Sequence, residues 1–511
     1  MLDRRSAART IRKEANKIAF RRSVPTHLSN GEESDYRNNA GELSYIANFH
    51  KGLPHNGLGE VVPAAYRTMV SALNTGSAGA FEAISLGLGR KLTNPQAGLA
   101  FDLEGPDSHS LAIPPAPRID SAENAAEMAE LYWMALLRDI HFSDYSTNAD
   151  VAAAAASLST FSDFRGPKSG GTVTPGVLFR GFTAGDLVGP YVSQFLLRPI
   201  SFGTLRITQR QQTAVASKDY MIDYNEWLAI QNGNNVAPDG PGTFDPVRRF
   251  IRNARDLATY VHFDALYEAY LNACLILLDM KAPFDPGNPY VDSKTQIGFG
   301  TFGGPHILSL VTEVATRALK GIWYQKWFVH RRLRPEAMGG LIHNHLKGTA
   351  NYPIHPEILA TGPGTVADRV RAHNLANGSD SYLLPMAFRE GSPTHPAYGA
   401  GHATVAGACV TILKAWFDES YVMPNPVVSD ASGTALIPAP AKLTVGGELN
   451  KVAANVAIGR NMGGVHWRTD YTESVKLGEA IALGVLEEQK LCYSEFSGLS
   501  VTRFDGTRVT I

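Results

Sequence analysis

The sequence predicts a mainly α-helical protein built from helical bundles, with its chemistry in the C-terminal half. Three observations carry that expectation. Apolar residues recur at three- and four-residue spacing through long segments. Strand-like alternation is scarce. The unusual polar motifs all fall between residues 326 and 470. With 511 residues the chain can bury one large core or the cores of two to three domains.

Along the chain, residues 1–22 carry eight Lys or Arg against Asp3 and Glu14. No apolar stretch follows the twin arginines Arg4 and Arg5, so a standard signal peptide is not expected. An arm packed on a neighbouring subunit is preferred for this segment over membrane or nucleic-acid binding. Residues 24–120 scatter Pro, Gly, Asn and Ser among brief helical stretches, and 1–120 reads as an irregular N-terminal arm and wrapping segment. A helical-bundle catalytic region follows over 121–511, with helices predicted near 122–139, 254–280, 305–328, 402–417 and 468–490. Pro238-Asp239-Gly240-Pro241-Gly242 and the stretch from Pro283 to Pro289 stop helices and favour turns. No apolar run approaches the roughly 18–20 residues that span a bilayer, so the chain reads as soluble, with no compartment assigned.

A formal net charge of -1, from 47 basic and 48 acidic residues, argues against a nucleic-acid or anionic-membrane partner. Any anion must be met locally. Cys274, Cys409 and Cys492 contain no C-x2-C pair, which excludes a zinc ribbon and a dense disulfide framework. The first two sit in apolar helical patterns and read as core residues; Cys492 reads as a surface thiol within reach of a partner chain.

Three motifs concentrate cations, imidazoles and glycines. In K-x7-R-P, Lys326 lies near the end of an aromatic helix and Arg334 precedes Pro335. Among so many aromatics a cation is expected to be buried and to need an anion. Arg334 offers a planar fork for an oxyanion and Lys326 a point charge. In H-P-A-Y-G-A-G-H, His395 and His402 bracket Gly399, Ala400 and Gly401 just before an apolar helix, whose first N–H groups are free to bind an anion. Imidazole there can exchange protons near neutral pH. In G-R-x4-V-H-x3-D, Arg460 and His466 flank two glycines, and Asp470 either orients His466 or caps the next helix. His343 and His345 form an H-x-H pair without a third ligand nearby and read as loop residues.

These motifs resemble those of the vanadium-dependent haloperoxidases, specifically the bromoperoxidase branch of red algae and cyanobacteria, and more remotely the phosphatidic acid phosphatase type 2 superfamily. The resemblance covers 326–335, 391–410 and 455–471 closely. Asp223-Tyr224-Asn225-Glu226-Trp227 and Phe299-Gly300-Thr301-Phe302-Gly303-Gly304 extend it to most of the chain. It implies that His466 is the axial ligand to vanadium, and that Lys326, Arg334, Arg460 and the Gly401 N–H neutralise vanadate oxygens. It also implies that His402 hydrogen-bonds the apical oxygen and acts as acid–base. The implied reaction oxidises bromide and iodide with hydrogen peroxide, polarised by Lys326, to hypohalous acid that halogenates small organic acceptors. His395 resembles the bromoperoxidases, where the fungal chloroperoxidases carry an aromatic residue. Ala400 departs from the family pattern, which has a serine hydroxyl at this cofactor-binding position. Further implications are a pair of four-helix bundles, a large homo-oligomer and a structural calcium site. For that calcium, Asp285, Asn288, Asp292 and Gln296 offer hard oxygen ligands, although a polar surface loop accounts for them equally well.

The competing expectation is a phosphatase in which His466 is the nucleophile, since phosphate and vanadate share shape and charge. The longer lysine–arginine spacing and His395 favour the peroxidase. A non-enzymatic anion-binding scaffold would need neither His395 nor His402.

Overall fold

Residues 3–511 of the computed structural model form fifteen α-helices and four two-stranded antiparallel ribbons. The first half contains α1 (Arg4–Arg21), α2 (Pro63–Thr75), α3 (Ala78–Glu82), α4 (Ala122–Leu136), α5 (Ala149–Leu158), α6 (Tyr224–Gln231), α7 (Ala254–Phe263) and α8 (Glu268–Asp279). The second contains α9 (Gly304–Tyr324), α10 (Pro335–Leu346), α11 (Pro356–Leu359), α12 (Val366–Ala376), α13 (Gly401–Trp416), α14 (Val445–Met462) and α15 (Arg468–Gln489). The ribbons pair β1 (Ile200–Phe202) with β2 (Leu205–Ile207), β3 (Gln211–Ala214) with β4 (Phe244–Arg249), β5 (Val427–Ser429) with β6 (Leu436–Pro438), and β7 (Ser500–Thr502) with β8 (Arg508–Thr510).

The centre of the molecule is α13. Every one of its residues except His402 is buried, the mark of a helix enclosed on all sides. It packs on α15, α9 and α14, and α14 in turn packs on α7. Reciprocal glycines let α13 and α15 touch backbone to backbone. A Cβ on Gly407 would lie 2.1 Å from the Val475 carbonyl oxygen, and one on Gly478 would lie 2.0 Å from that of Thr404. Between α14 and α15 the chain turns through Gly464, whose φ of +82° is costly for a residue with a Cβ. This turn carries Arg460 and His466 into the same region.

The N-terminal segment departs from expectation in one respect. Its first part is a regular helix, α1, capped by Asp3, which accepts from the Arg5 N–H at 3.0 Å. None of its residues is buried and Phe20 is 89% exposed; Met1 and Leu2 of the expected arm lie outside the described residues. The following segment is anchored to the lysine motif. Phe49 meets Trp327 edge-on at 5.5 Å, Glu33 pairs with Arg331 at 2.6 Å, and Lys51 pairs with Glu336 at 2.5 Å.

Two further expectations need correction. The helix predicted over 254–280 is two helices, α7 and α8, set at 100° to one another. No Gly or Pro marks the break at 264–267, so periodicity alone ran the two together. His343 and His345 lie on α10, not in a loop, and their Nδ1 atoms accept from the N–H groups of Tyr382 at 3.1 Å and Tyr352 at 3.2 Å. Cys274 and Cys409 are buried, Cys492 is exposed, and all three are free. No single helix among the described residues is long and apolar enough to cross a membrane.

Candidate active site

The aromatic helix α9 does not simply end at Lys326. It passes into a π-helical turn over Gln325–His330 and closes on Arg331 in the left-handed region, a wide turn of the kind found at functional sites. Lys326 is fully buried there. Its Nζ donates to the carbonyl oxygens of Pro396 at 2.8 Å and Ala397 at 3.1 Å, and lies 5.6 Å from the Trp323 ring.

Arg334 precedes Pro335 at the start of α10. Its Nε donates to the His395 carbonyl at 2.8 Å and its Nη1 to the Val465 carbonyl at 2.6 Å. The same guanidinium reaches His395 Nδ1 at 2.8 Å and His466 Nε2 at 3.1 Å. Because arginine only donates, both imidazole nitrogens must accept. The proton of His466 therefore sits on Nδ1, which donates to Asp470 Oδ2 at 2.6 Å. Asp470 also accepts from the Trp467 N–H at 3.1 Å, so it both orients the histidine and caps α15. Arg332 backs the carboxylate at 3.2 Å and is itself held by Glu127 at 2.6 Å.

Arg460, in the last turn of α14, donates Nη1 to the Val261 carbonyl at 2.9 Å, while its Nε is buried without a partner. His402, second residue of α13, places Nε2 3.1 Å from Asp264 Oδ1, and with 27% of its side chain exposed it is the site's contact with solvent. Ala400 is the N-cap of α13 and gives the helix no side-chain cap; its own N–H donates to Ser474 Oγ at 2.9 Å. The first N–H groups of α13, beginning at Gly401, follow directly.

Charge balance separates this site from the rest of the interior. Among the described residues ten Lys or Arg side chains are buried. Seven have a carboxylate within 4.0 Å: Lys51, Arg138, Arg255, Arg332, Lys414, Lys451 and Arg468. The other three are Lys326, Arg334 and Arg460, which bond to backbone carbonyls or imidazoles only. Burial, reinforced by mutual repulsion, pushes the Lys326 ammonium well below its usual range. Arg334 is brought down to about 9 by burial, and Arg460, also by burial, to about 10. Burial, reinforced by Lys326 and Arg334, holds His395 and His466 well below the usual imidazole value. Burial pushes Asp470 up to about 6 against the pull of Arg332. Three uncompensated cations, a helix start and an imidazole whose unprotonated Nε2 is met only by the Arg334 guanidinium form a set suited to a compact oxyanion such as vanadate or phosphate.

The chain is 41% identical to a vanadium-dependent bromoperoxidase of Corallina officinalis, in an alignment covering 99% of this chain and 98% of that one. It belongs to the vanadium-dependent bromoperoxidase family. A bromoperoxidase of Ascophyllum nodosum is 39% identical over 92% of this chain and 87% of its own length. The solved homohexameric second vanadate-dependent bromoperoxidase of that alga superposes with a TM-score of 0.93 at 33% identity, covering 99% of this chain and 90% of that one. Residues 362–494 match the VCPO second helical-bundle domain.

Of the residues singled out in the sequence, the bromoperoxidase fold joins Lys326, Arg334, His395 and His466 through direct contacts or shared loops, and Arg460 adds its charge beside them. His402 is held apart, against Asp264. The calcium candidates do not converge in the same way. Asp285 Oδ1 accepts from the Gly287 N–H at 2.8 Å and Asn288 Oδ1 from the Tyr290 N–H at 3.0 Å, while Asp292 and Gln296 stand exposed. No group of three or more His, Cys, Asp or Glu among the described residues is arranged to hold a metal. Sequence reasoning placed Arg332 in the basic run before Pro335 without a role, and missed Asp264, Glu127 and Ser474. Each lies far along the chain from its partner, and no local pattern announces it.

Proposed function

We propose that this chain oxidises bromide and iodide with hydrogen peroxide to hypohalous acid, using vanadate as its cofactor, and that the acid halogenates small organic acceptors. The supporting observation is the trio of buried cations without carboxylates. Burying three positive charges around two neutral imidazoles is costly unless an anion joins them. The orphaned Arg460 Nε and the Nε2 lone pair of His466 suit a tetrahedral oxyanion. Bound vanadate supplies a Lewis-acidic centre that activates peroxide without changing its own oxidation state.

Around it, Lys326, Arg334, Arg460 and the Gly401 N–H neutralise oxygens, and His466 offers Nε2 as the protein ligand while Asp470 keeps the proton on Nδ1. His402 holds or moves a proton at Nε2, with Asp264 as its partner. His395 fixes the Arg334 fork from the side of Trp323, whose ring centre lies 4.8 Å away. The phosphatase reading, with His466 as nucleophile, uses the same cations, but the chain's full-length relatives are bromoperoxidases. Bromination of a phenol dye by the vanadate-free protein, with and without added vanadate, peroxide and bromide, decides between them. Phosphate-ester hydrolysis without bromination would overturn the proposal.

The proposal extends to a large homo-oligomer. A solved bromoperoxidase of Ascophyllum nodosum is homohexameric, and α1 buries none of its residues within its own chain. Light scattering measures the assembly. A structural calcium finds narrower support, from the buried Asp285 and Asn288 alone, and elemental analysis after chelation checks it.

A further inference from the structure

The last turn of α7 faces two ways. On one side the Val261 carbonyl holds Arg460 and the Asp264 carboxylate holds His402. On the other, Tyr260, Phe263 and Asp264 form one wall of a cavity of about 540 Å³, within the range of small-molecule sites. The opposite wall comes from the β3–β4 ribbon and the residue before it, with Phe244, Arg210 and Arg248. The walls meet where the Phe244 and Phe263 rings approach to 5.3 Å.

Three features mark this space as a place for a ligand. It shares Asp264 with the acid–base histidine. Its Tyr260 hydroxyl is buried without a hydrogen-bond partner. Its charges are polarised: Asp264 and Glu268 belong to the helix wall, whereas Arg210 and Arg248 belong to the ribbon wall, where Asp239, the carboxylate on that side, is exposed. The neighbouring Arg206, Arg249 and Arg252 are each paired with a carboxylate, but Arg210 and Arg248 are not.

We propose that this cavity binds the organic acceptor and selects an electron-rich aromatic or unsaturated carboxylate; the proposal rests on the bromoperoxidase reading above. The arginines hold the carboxylate, the aromatic rings hold the body, and the reactive carbon faces the side shared with His402. Hypobromous acid made next door then reacts before it reaches bulk water. The O–Br bond breaks as the acceptor carbon forms a C–Br bond, carbon being oxidised and bromine reduced. With an aromatic acceptor the displaced hydroxide takes the ring proton and leaves as water; with an alkene the oxygen adds to the neighbouring carbon.

The test offers the holoenzyme an equimolar mixture of 4-hydroxybenzoate and its neutral methyl ester, and compares the brominated products with those from reagent hypobromite at the same pH. The enzyme is expected to favour the carboxylate about fivefold more than the reagent does, the scale of two exposed ion pairs. Arg210→Ala with Arg248→Ala should return the ratio to the reagent's. Saturation-transfer NMR without peroxide should show 4-hydroxybenzoate bound to the native protein and lost from the double variant. A native enzyme with the reagent's ratio, or a double variant that keeps the preference, overturns the cavity assignment while leaving the bromoperoxidase reading intact. A protein that binds 4-hydroxybenzoate but never brominates overturns the bromoperoxidase reading, and the acceptor role with it.

Discussion

Replacing Asp470 by Asn tests the geometry of the site without touching its cations. The native carboxylate accepts from His466 Nδ1 at 2.6 Å, from the Trp467 N–H at 3.1 Å and from Arg332 at 3.2 Å. Asparagine has a single acceptor oxygen. If that oxygen faces His466, the amide NH2 is driven against Arg332, donor against donor. If the NH2 faces His466 instead, Nδ1 must accept, the proton moves to Nε2, and the lone pair proposed to bind vanadium is lost. Either orientation weakens the ligand. Loss of a partner that orients a metal-binding histidine costs about tenfold to a hundredfold in affinity, or about 1.4–2.7 kcal/mol. Folding should suffer by a comparable amount, about 1–3 kcal/mol, because either His466 or Arg332 is left buried without its acceptor. Vanadate-free native and Asp470→Asn proteins would be titrated with vanadate, following bound vanadium by elemental analysis and recovered bromination in parallel. Unchanged affinity in a folded variant would refute the assignment of His466 Nε2 as the ligand atom.

Three other outcomes are expected. His402→Ala should lower peroxide-dependent turnover by about a hundredfold or more while vanadium stays bound, read by steady-state bromination beside elemental analysis. Ala400→Ser should restore a donor at the N-cap of α13 and tighten vanadate binding by about tenfold to a hundredfold, measured by titrating the vanadate-free forms; equal affinities would show that position 400 does not face the oxyanion. Asp186 is held at about 7, above its ordinary 3.8, because burial outweighs the hydrogen bonds from Thr183. The folded state therefore binds the extra proton, and this group's contribution to stability is lost as pH rises from about 4 through about 7; Asp186→Asn should raise the melting temperature by about 1–3 °C at pH 8 and by less at pH 5.

Much of the site was legible because its chemistry clusters in short motifs. Helices α4, α9, α13 and α15 announced themselves through periodicity, and Gly401 and Gly464 marked the turns that deliver backbone N–H groups and His466. Long-range partners were not legible. Asp264 meets His402 only because α7 breaks where no Gly or Pro signals a break, and Glu127 reaches Arg332 from a different helix. Helix α14 was also hidden. It is buried on nearly every side yet carries Asn450, Lys451, Asn455, Arg460 and Asn461, so no apolar stripe stands out against a polar face. The left-handed Arg331 and the π turn before it likewise have no counterpart in hydrophobic spacing.

The run Arg331-Arg332-Leu333-Arg334 shows what three dimensions add to a basic motif. Composition makes the three arginines equivalent, but the fold gives Arg331 to Glu33, Arg332 to Glu127 and Asp470, and Arg334 to the carbonyls of His395 and Val465. A carboxylate neutralises the guanidinium it binds. A carbonyl satisfies its N–H groups and fixes its direction but leaves the positive charge in place. Lys326 and Arg460 are held in the same way, by the carbonyls of Pro396, Ala397 and Val261. The protein thus sets these cations rigidly in low dielectric without quenching them, the condition under which fixed charges act most strongly on an anion and on negative charge that develops during reaction. The same fold uses paired arginines two and three residues earlier as structural ties. Function here is written in which acceptor each cation was given, more than in the cations themselves.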